Sequence, residues 1–222
     1  PPPPPLFFFH AHPGTRDAQE SRGLGDVYKR QFKDPIELTY YEASTENFQP
    51  RNLGNAKVFG LEFEMRRQIS KSFGVNVNAS VIESQQEYGE SERNLRTLGL
   101  RDGESLGDYR NLQGQSPFLI NSSIDYNDGK NGLKAGIFFN MQGETLEVVG
   151  TGFAPDVYTK PFESLNLNLS KTFGEKQNKT VTIKIENLLD SKKESFYKAF
   201  KANNEIFSFR EEGTTFSIGY SI

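Results

Sequence analysis

Apolar and polar residues alternate with a period of two in several segments of the chain after residue 55. In the segment 56–67, the apolar side chains all fall on one side and the charged side chains on the other. A period of two is typical of a β-strand, so the segment is predicted to be a strand with one apolar and one polar face. The apolar set is Phe59, Leu61, Phe63 and Met65, and the polar set includes Glu62, Glu64 and Arg66.

The same alternation recurs in six later segments, at residues 73–84, 116–127, 133–143, 164–173, 180–189 and 214–222. The segment 32–42 is added as a first strand because its residues favour extended structure, which gives about eight predicted strands. The last strand carries its apolar residues at every second position, namely Phe216, Ile218, Tyr220 and Ile222.

The connections between these strands alternate in length. Short turns are expected at residues 69–74, 127–132 and 173–179, and long polar connections at 43–54, 89–115, 143–161 and 190–212. Short turns at one end, long loops at the other and strands near ten residues favour an all-β, antiparallel transmembrane β-barrel. In that fold Phe59, Leu61, Phe63 and Met65 face lipid, and Glu62, Glu64 and Arg66 face the lumen. A soluble carbohydrate-binding β-sandwich is the alternative, since it also has one apolar and one polar face.

Composition is consistent with strands rather than helices in the membrane. Mean hydropathy is −0.64, and no run approaches the roughly 18 apolar residues that a spanning helix needs. The 26 basic and 29 acidic residues give a net charge of −3 without a basic stripe, so nucleic-acid binding is not expected. The chain has no cysteine, and no set of catalytic, metal-binding or cofactor-binding residues emerges, so we expect neither an enzyme nor a cofactor.

Residues 1–31 differ from the rest of the chain. They begin with runs of proline and phenylalanine and lack the features of a signal peptide. Their last part, SRGLGDVYKRQ, resembles a translated sequencing adapter, so a domain boundary is predicted between residues 31 and 32, with a non-native or disordered tail before it. A genuine proline-rich linker is the alternative. The two histidines of the chain, His10 and His12, lie in this segment, so no histidine-dependent catalysis is expected from residues 32–222.

Several segments together resemble the C-terminal barrel of TonB-dependent outer-membrane receptors of the Bacteroidetes type. They include FKDPIELTYY, PRNLGNAKVFGLEFEMRR, RNLQGQSPFLINSSIDY, IKIENLLD and REEGTTFSIGYSI. Barrels of this family have about 22 strands around a plug, so the resemblance implies a fragment with the last eight strands, lacking the plug and the TonB box. It also implies a location in the cell outer membrane.

The resemblance further implies a function, which is to bind and import a scarce nutrient such as an iron–siderophore. The implied partners are outer-membrane lipid, the nutrient ligand, TonB and the barrel assembly machinery, which would recognise the last strand. Outer loops of such receptors capture ligand, which makes polar residues of the loop 89–115 candidates. A passive porin is the alternative function. The loop candidates are Arg93, Arg96, Arg101, Tyr109 and Arg110.

Overall fold

The structure, a computed structural model, describes residues 22–40, 47–151, 153–174 and 177–222. The largest unit is one antiparallel main sheet in which eight strands lie side by side in chain order. These strands are β1 (Arg22–Phe32), β4 (Ala56–Gln68), β5 (Phe73–Glu87), β7 (Phe118–Asp128), β8 (Leu133–Gln142), β11 (Phe162–Phe173), β12 (Lys179–Glu186) and β15 (Thr215–Ser221). The short strand β6 (Tyr109–Arg110) pairs with the end of β5.

The remaining elements lie in the long connections between strands of the main sheet. They are β2 (Ile36–Tyr40), β3 (Phe48–Asn52), the helix α1 (Glu90–Leu98), β9 (Thr145–Val148), β10 (Asp156–Thr159), β13 (Lys193–Lys198) and β14 (Glu205–Arg210). Among the described residues, no helix is both long enough and apolar enough to cross a membrane.

The predicted all-β antiparallel architecture is confirmed. The register between neighbouring strands explains why the alternation of apolar and polar residues continues from one strand of the main sheet to the next. Residues that pair across antiparallel strands place their side chains on the same face. One apolar row therefore crosses five strands through Ile124, Ile137, Leu167, Ile185 and Phe216. The opposite face carries a polar row, which consists of Glu64, Asn78, Asn121, Asn140 and Ser164.

The two ends of the main sheet differ as predicted. Three short connections join strands at one end, with described residues 69–72, 129–132, and 174 and 177–178, and Gly132 and Gly174 have a left-handed φ there. The described residues of the four long connections lie at the other end, namely 33–40 and 47–55, 88–117, 143–151 and 153–161, and 187–214. We refer to these four connections together as the loop cluster.

The first strand of the main sheet differs from the prediction. The segment 32–42 was expected to be that strand, but β1 begins at Arg22 and pairs with β4 over its full length. Asp34 has a φ of +46°, and Pro35 has no N–H to donate, so the strand stops at Phe32. Residues 36–40 instead form β2 in the loop cluster.

The expected boundary between residues 31 and 32 therefore falls inside the sheet as the structure has it. Residues 22–31 belong to β1, and the ring of Tyr28 covers Gly60 on the neighbouring strand, where an added Cβ would lie 2.2 Å from it. Strand pairing relies on backbone hydrogen bonds, which a sequence of any origin can form, so the domain boundary stays a prediction. The foreign origin of residues 1–31 stays a prediction.

Asn187 ends β12 in the segment IENLLD and joins it to its neighbours. Its φ of +54° is tolerated by asparagine. Its N–H donates to Oδ1 of Asn166 at 2.9 Å, and its Nδ2 donates to the carbonyl oxygen of Gly213 at 3.1 Å. One residue thereby fixes the point where the last long connection leaves the sheet.

Candidate functional site

The four long connections fold together instead of projecting separately. A four-stranded sheet in the order β14–β13–β10–β9 joins the third and fourth connections, and the β2–β3 hairpin comes from the first. Val149 donates its N–H to the carbonyl oxygen of Leu38 at 3.1 Å, and the Thr39 hydroxyl donates to the carbonyl oxygen of Val149 at 3.1 Å. The loop cluster is thus one assembly at the end of the main sheet.

A small apolar core lies inside this assembly. Tyr40, Val148, Ala154 and Val157 are buried against one another, with Tyr197 packed beside them. Burial raises the pKa of the Tyr40 phenol well above its ordinary value, and the neighbouring Tyr197 adds to the effect. The core joins residues from three of the four connections.

Arg110 is the centre of a buried charge network. Its side chain is 3% exposed, and its guanidinium donates to both carboxylate oxygens of Glu37, at 3.0 and 2.6 Å. It also donates to Glu92, with 2.7 Å between Nε and Oε1. Burial alone would lower the pKa of Arg110, but the hydrogen bonds with Glu37 and Glu92 raise it overall. The guanidinium therefore stays positively charged.

Arg96 extends the network to the third connection. Its Nε donates to Oε1 of Glu92 at 3.0 Å, and its two terminal nitrogens donate to the carboxylate of Asp156 at 3.2 and 2.6 Å. The same carboxylate accepts the N–H of Gly150 at 2.7 Å. Burial opposes the charge on Arg96, yet Asp156 and Glu92 raise its pKa overall. Two arginines and three carboxylates therefore tie three connections together.

Gln113 and Glu147 form hydrogen bonds that join the fourth connection to the other three. The Gln113 N–H donates to Glu37 at 2.8 Å, and its side-chain amide donates to the carbonyl oxygen of Leu38 at 2.9 Å. The side-chain amide also donates to the Glu147 carbonyl oxygen, and the Ser195 hydroxyl donates to the Glu147 carboxylate. The fourth connection is thereby fixed to the other three.

A small polar cavity of about 120 Å³ opens between the second, third and fourth connections. The paired side chains of Arg96 and Asp156 line it, together with the charged residues Arg101, Glu104 and Lys198. Lys198 is in an ion pair with Glu144. Phe153, whose side chain is 66% exposed, lies at its edge. Because residues from three connections line it, the cavity forms only when the loop cluster is assembled.

The five loop residues predicted to bind ligand lie in different environments. Arg96 and Arg110 are buried in ion pairs, so their position indicates a structural role. Arg101 lines the cavity and donates to the carbonyl oxygen of Phe200 at 3.0 Å. Arg93 lies outside the cavity over the ring of Tyr88, with 5.3 Å to the ring centre, and Tyr109 is 47% exposed on β6. Ligand binding by all five residues stays a prediction.

The predicted faces of β4 are present in the structure. Phe59, Leu61 and Phe63 are exposed on the apolar face of the main sheet. Glu64 and Arg66 form an ion pair of 3.1 Å on the polar face. Met65 shares the face of Phe63, and Glu62 shares the face of Glu64, by strand alternation. Their contact with lipid and with the lumen stays a prediction.

The last strand also has the predicted alternation. Phe216, Ile218 and Tyr220 are exposed on the apolar face of β15, and Ile222 lies just beyond the strand. Their recognition by the assembly machinery stays a prediction.

Sequence reasoning missed Glu37, Glu92, Asp156 and Gln113 as members of a buried network. The available signal was weak, because these residues lie in polar connections where a solvated position is the usual expectation. One clue was the accumulation of arginine and acidic residues in a single loop. Among the described residues, no group of histidine, cysteine and carboxylate side chains is arranged to hold a metal ion; His10 and His12 lie outside the described residues.

Comparisons with known proteins agree with this architecture. The model of the outer membrane protein beta-barrel family matches residues 26–221. No curated protein matches the chain. The solved structure of the copper transporter OprC is similar, with a TM-score of 0.58 and 16% identity, over 92% of this chain. The matched region spans 28% of OprC, so this chain corresponds to only part of that protein's length.

Proposed function

Because the chain belongs to the outer membrane protein beta-barrel family and is located in the outer membrane, we propose that it forms part of the wall and outer loops of a TonB-dependent nutrient receptor. The full receptor binds a scarce nutrient at the loop cluster and imports it through the barrel. The chain supplies eight adjacent strands of that barrel, and the full receptor is proposed to include a plug and a TonB box.

The observation that carries this proposal is the assembled loop cluster. A passive pore needs only an open mouth, whereas here four connections form a buried core and charge network that fix the cavity. A binding site held in one arrangement avoids the cost of ordering loops when ligand binds. Preassembly therefore favours capture of a specific ligand over free diffusion.

The nutrient is proposed to be a metal chelate. Of the three cationic residues that line the cavity, Arg96 and Lys198 are in ion pairs, whereas Arg101 forms no ion pair among the described residues. The charge of Arg101 suits an anionic chelate such as an iron–siderophore. The fold is shared with a copper transporter, so copper is included as a test substrate. Partners of the full receptor are the nutrient, TonB and the barrel assembly machinery.

Uptake by whole cells tests the proposal. Cells that lack the gene are compared with cells that carry the complete gene, using radiolabelled ferric chelates and copper, with and without an uncoupler of the proton gradient. We expect energy-dependent uptake that falls when Arg101→Ala and Lys198→Ala are combined. The matched control is Lys171→Ala, since Lys171 lies on β11 near the tight turns, at the opposite end of the sheet.

A passive porin is the competing function, and conductance separates the two. A plugged receptor in a planar bilayer should show little steady current, whereas a porin shows stable open channels. If the uncoupler does not affect uptake and the protein forms stable open channels, the proposed receptor function is wrong and the protein is a porin.

A further inference from the structure

The polar face of the main sheet carries the aromatic residue Phe138 in the middle of β8, in addition to Tyr28, Phe32 and Phe162 on other strands. Phe138 pairs with Ser123 on one neighbouring strand and with Asn166 on the other, so its ring is on the polar face. The residue is half-buried. Around it are mainly asparagine and serine side chains, which makes a hydrophobic ring at this position unexpected for a wetted wall.

The ring lies over Gly136. A Cβ added to Gly136 would lie 2.7 Å from the Phe138 ring and 3.3 Å from Oδ1 of Asp125. An aromatic ring that covers a glycine is a known way to stabilise a strand. Here the covered glycine also lies between two polar neighbours, because Gly136 pairs with Asp125 on one side and Asn168 on the other.

The Asp125 carboxylate is held in a fixed orientation. Its Oδ2 accepts hydrogen bonds from Nδ2 of Asn76 at 3.0 Å and from the Ser123 hydroxyl at 2.9 Å. Asn76 also donates to the Ser123 hydroxyl at 3.1 Å. Both of these bonds use Oδ2, so Oδ1 is the oxygen directed toward Gly136 and the ring.

Two cavities meet at Phe138. One, of about 160 Å³, is lined by Asn78, Asn121 and Asn140, and the other, of about 280 Å³, by Asp125, Asn168 and Thr182. The larger approaches the lower size limit of about 300 Å³ for small-molecule sites. Each cavity combines one face or edge of the ring with groups that donate and accept hydrogen bonds.

From this geometry we infer that the polar face of the main sheet contains a subsite for a saccharide, centred on Phe138, with Asp125 and Asn168 on either side of the ring. A sugar ring presents a C–H face that packs on an aromatic ring, and hydroxyls at its edge that both donate and accept. Asparagine amides match both functions, and the carboxylate accepts. A simple cation fits less well, because the amide and hydroxyl donors would face it.

Binding by the full chain tests the inference independently of transport. The chain is purified in the sugar-free detergent lauryldimethylamine oxide, and saturation-transfer NMR measures binding of maltotriose and cellotriose, with choline as the cationic probe. We expect saturable binding of at least one trisaccharide. Phe138→Leu keeps an apolar group over Gly136 but removes the aromatic face, and should weaken binding about tenfold. Asp125→Asn should weaken it to a similar degree.

Matched controls make the result specific. Phe139→Leu is the same change on the adjacent residue, which faces the other side of β8, and Asp128→Asn is the same change at the neighbouring tight turn. Both should leave binding unchanged. Binding of choline alone, no saturable binding to folded chain, or equal losses in test and control variants would overturn the subsite. So would protection of Phe138 from hydroxyl-radical footprinting in the complete protein without sugar, since a protein segment would then cover the wall.

Discussion

The main sheet and the loop cluster differ in what surrounds their side chains. In the main sheet, strands are joined by backbone ladders and large apolar residues remain exposed, with Ile218 at 81%. In the loop cluster, Tyr40 and Val157 are fully buried and Arg110 is 3% exposed. The sheet therefore needs a lipid environment to satisfy its apolar face, whereas the loop cluster is stabilised by contacts with itself.

Because of this difference, we expect the main sheet and the loop cluster to be destabilised by different kinds of substitution. A charge on the apolar face of the sheet weakens the barrel in its membrane, because hydrocarbon cannot solvate it. A missing charge in the loop cluster leaves its former partners buried and unpaired, because protein rather than water surrounds them. The substitutions below test that separation, from the largest expected effect to the smallest.

Arg110→Met should open the loop cluster and leave the main sheet folded. Removing one partner of a buried ion pair costs about 3–5 kcal/mol, because the remaining charges are uncompensated. Glu37 and Glu92 would be those charges. Hydrogen–deuterium exchange should show faster exchange of amides in residues 88–117, and heat-modifiable gel mobility should be retained.

Arg93→Met is the matched control, since Arg93 lies in the same connection and contacts Tyr88 outside the network. Its expected effect on amide exchange is small. If Arg110→Met also abolishes heat-modifiable mobility, then the loop cluster and the main sheet unfold as one unit. The prediction that they respond independently to substitution would then be wrong.

Phe63→Arg should destabilise the main sheet by about 2–4 kcal/mol, the cost of a cationic side chain near the bilayer midplane. Phe63 lies near the middle of β4 on the apolar face. The free energy of unfolding in lipid vesicles, measured by denaturant titration, reports the change. Glu64→Arg, on the polar face of the same strand, should be tolerated, and equal losses from the two substitutions would contradict the assigned faces.

The main sheet could be predicted from the sequence better than the loop cluster could. The alternation of Phe59, Leu61 and Phe63 reports a local property, the face of one strand, so the strands were predictable. The network depends on contacts between residues that are 60 and 73 positions apart in the chain, as for Arg96–Asp156 and Arg110–Glu37. No local pattern encodes such pairing, so Arg96 and Arg110 were predicted as ligand-binding candidates and not as members of a buried network.

The segment 32–42 shows the limit for strands as well. Its composition correctly predicted extended structure, and β2 is a strand. Composition does not specify the partner of a strand, and the left-handed Asp34 turns the chain out of the main sheet. The burial of Tyr40 follows from that change of partner.

Tyr40 should make the loop cluster sensitive to alkaline pH. Its pKa is raised in the folded state, so its contribution to stability is complete below the ordinary tyrosine pKa of about 10 and is lost as pH rises from there toward the raised value. In that window the slope is at most about 1.4 kcal/mol per pH unit. Near-UV circular dichroism and tyrosine absorbance, followed from about pH 8 to about pH 12, measure the transition.

Tyr40→Phe should move this transition to higher pH, because phenylalanine has no proton to lose. Tyr109→Phe is the matched control, since the Tyr109 ring is 47% exposed. A Tyr40→Phe transition that coincides with that of the unaltered chain would show that another group opens the loop cluster at high pH.

Lys193→Gln should have the smallest effect, although it also removes an ion pair from the loop cluster. The Nζ of Lys193 lies 3.1 Å from Oε1 of Glu212, but the two side chains are 50% and 48% exposed, so water solvates both charges. The expected cost is below about 1 kcal/mol, and it should shrink further at high salt because exposed charges are screened. Amide exchange of β13 and β14 at low and high salt measures it. A loss comparable to that of Arg110→Met would mean that ion pairs stabilise the loop cluster regardless of burial, and the contrast between its interior and its surface would have to be abandoned.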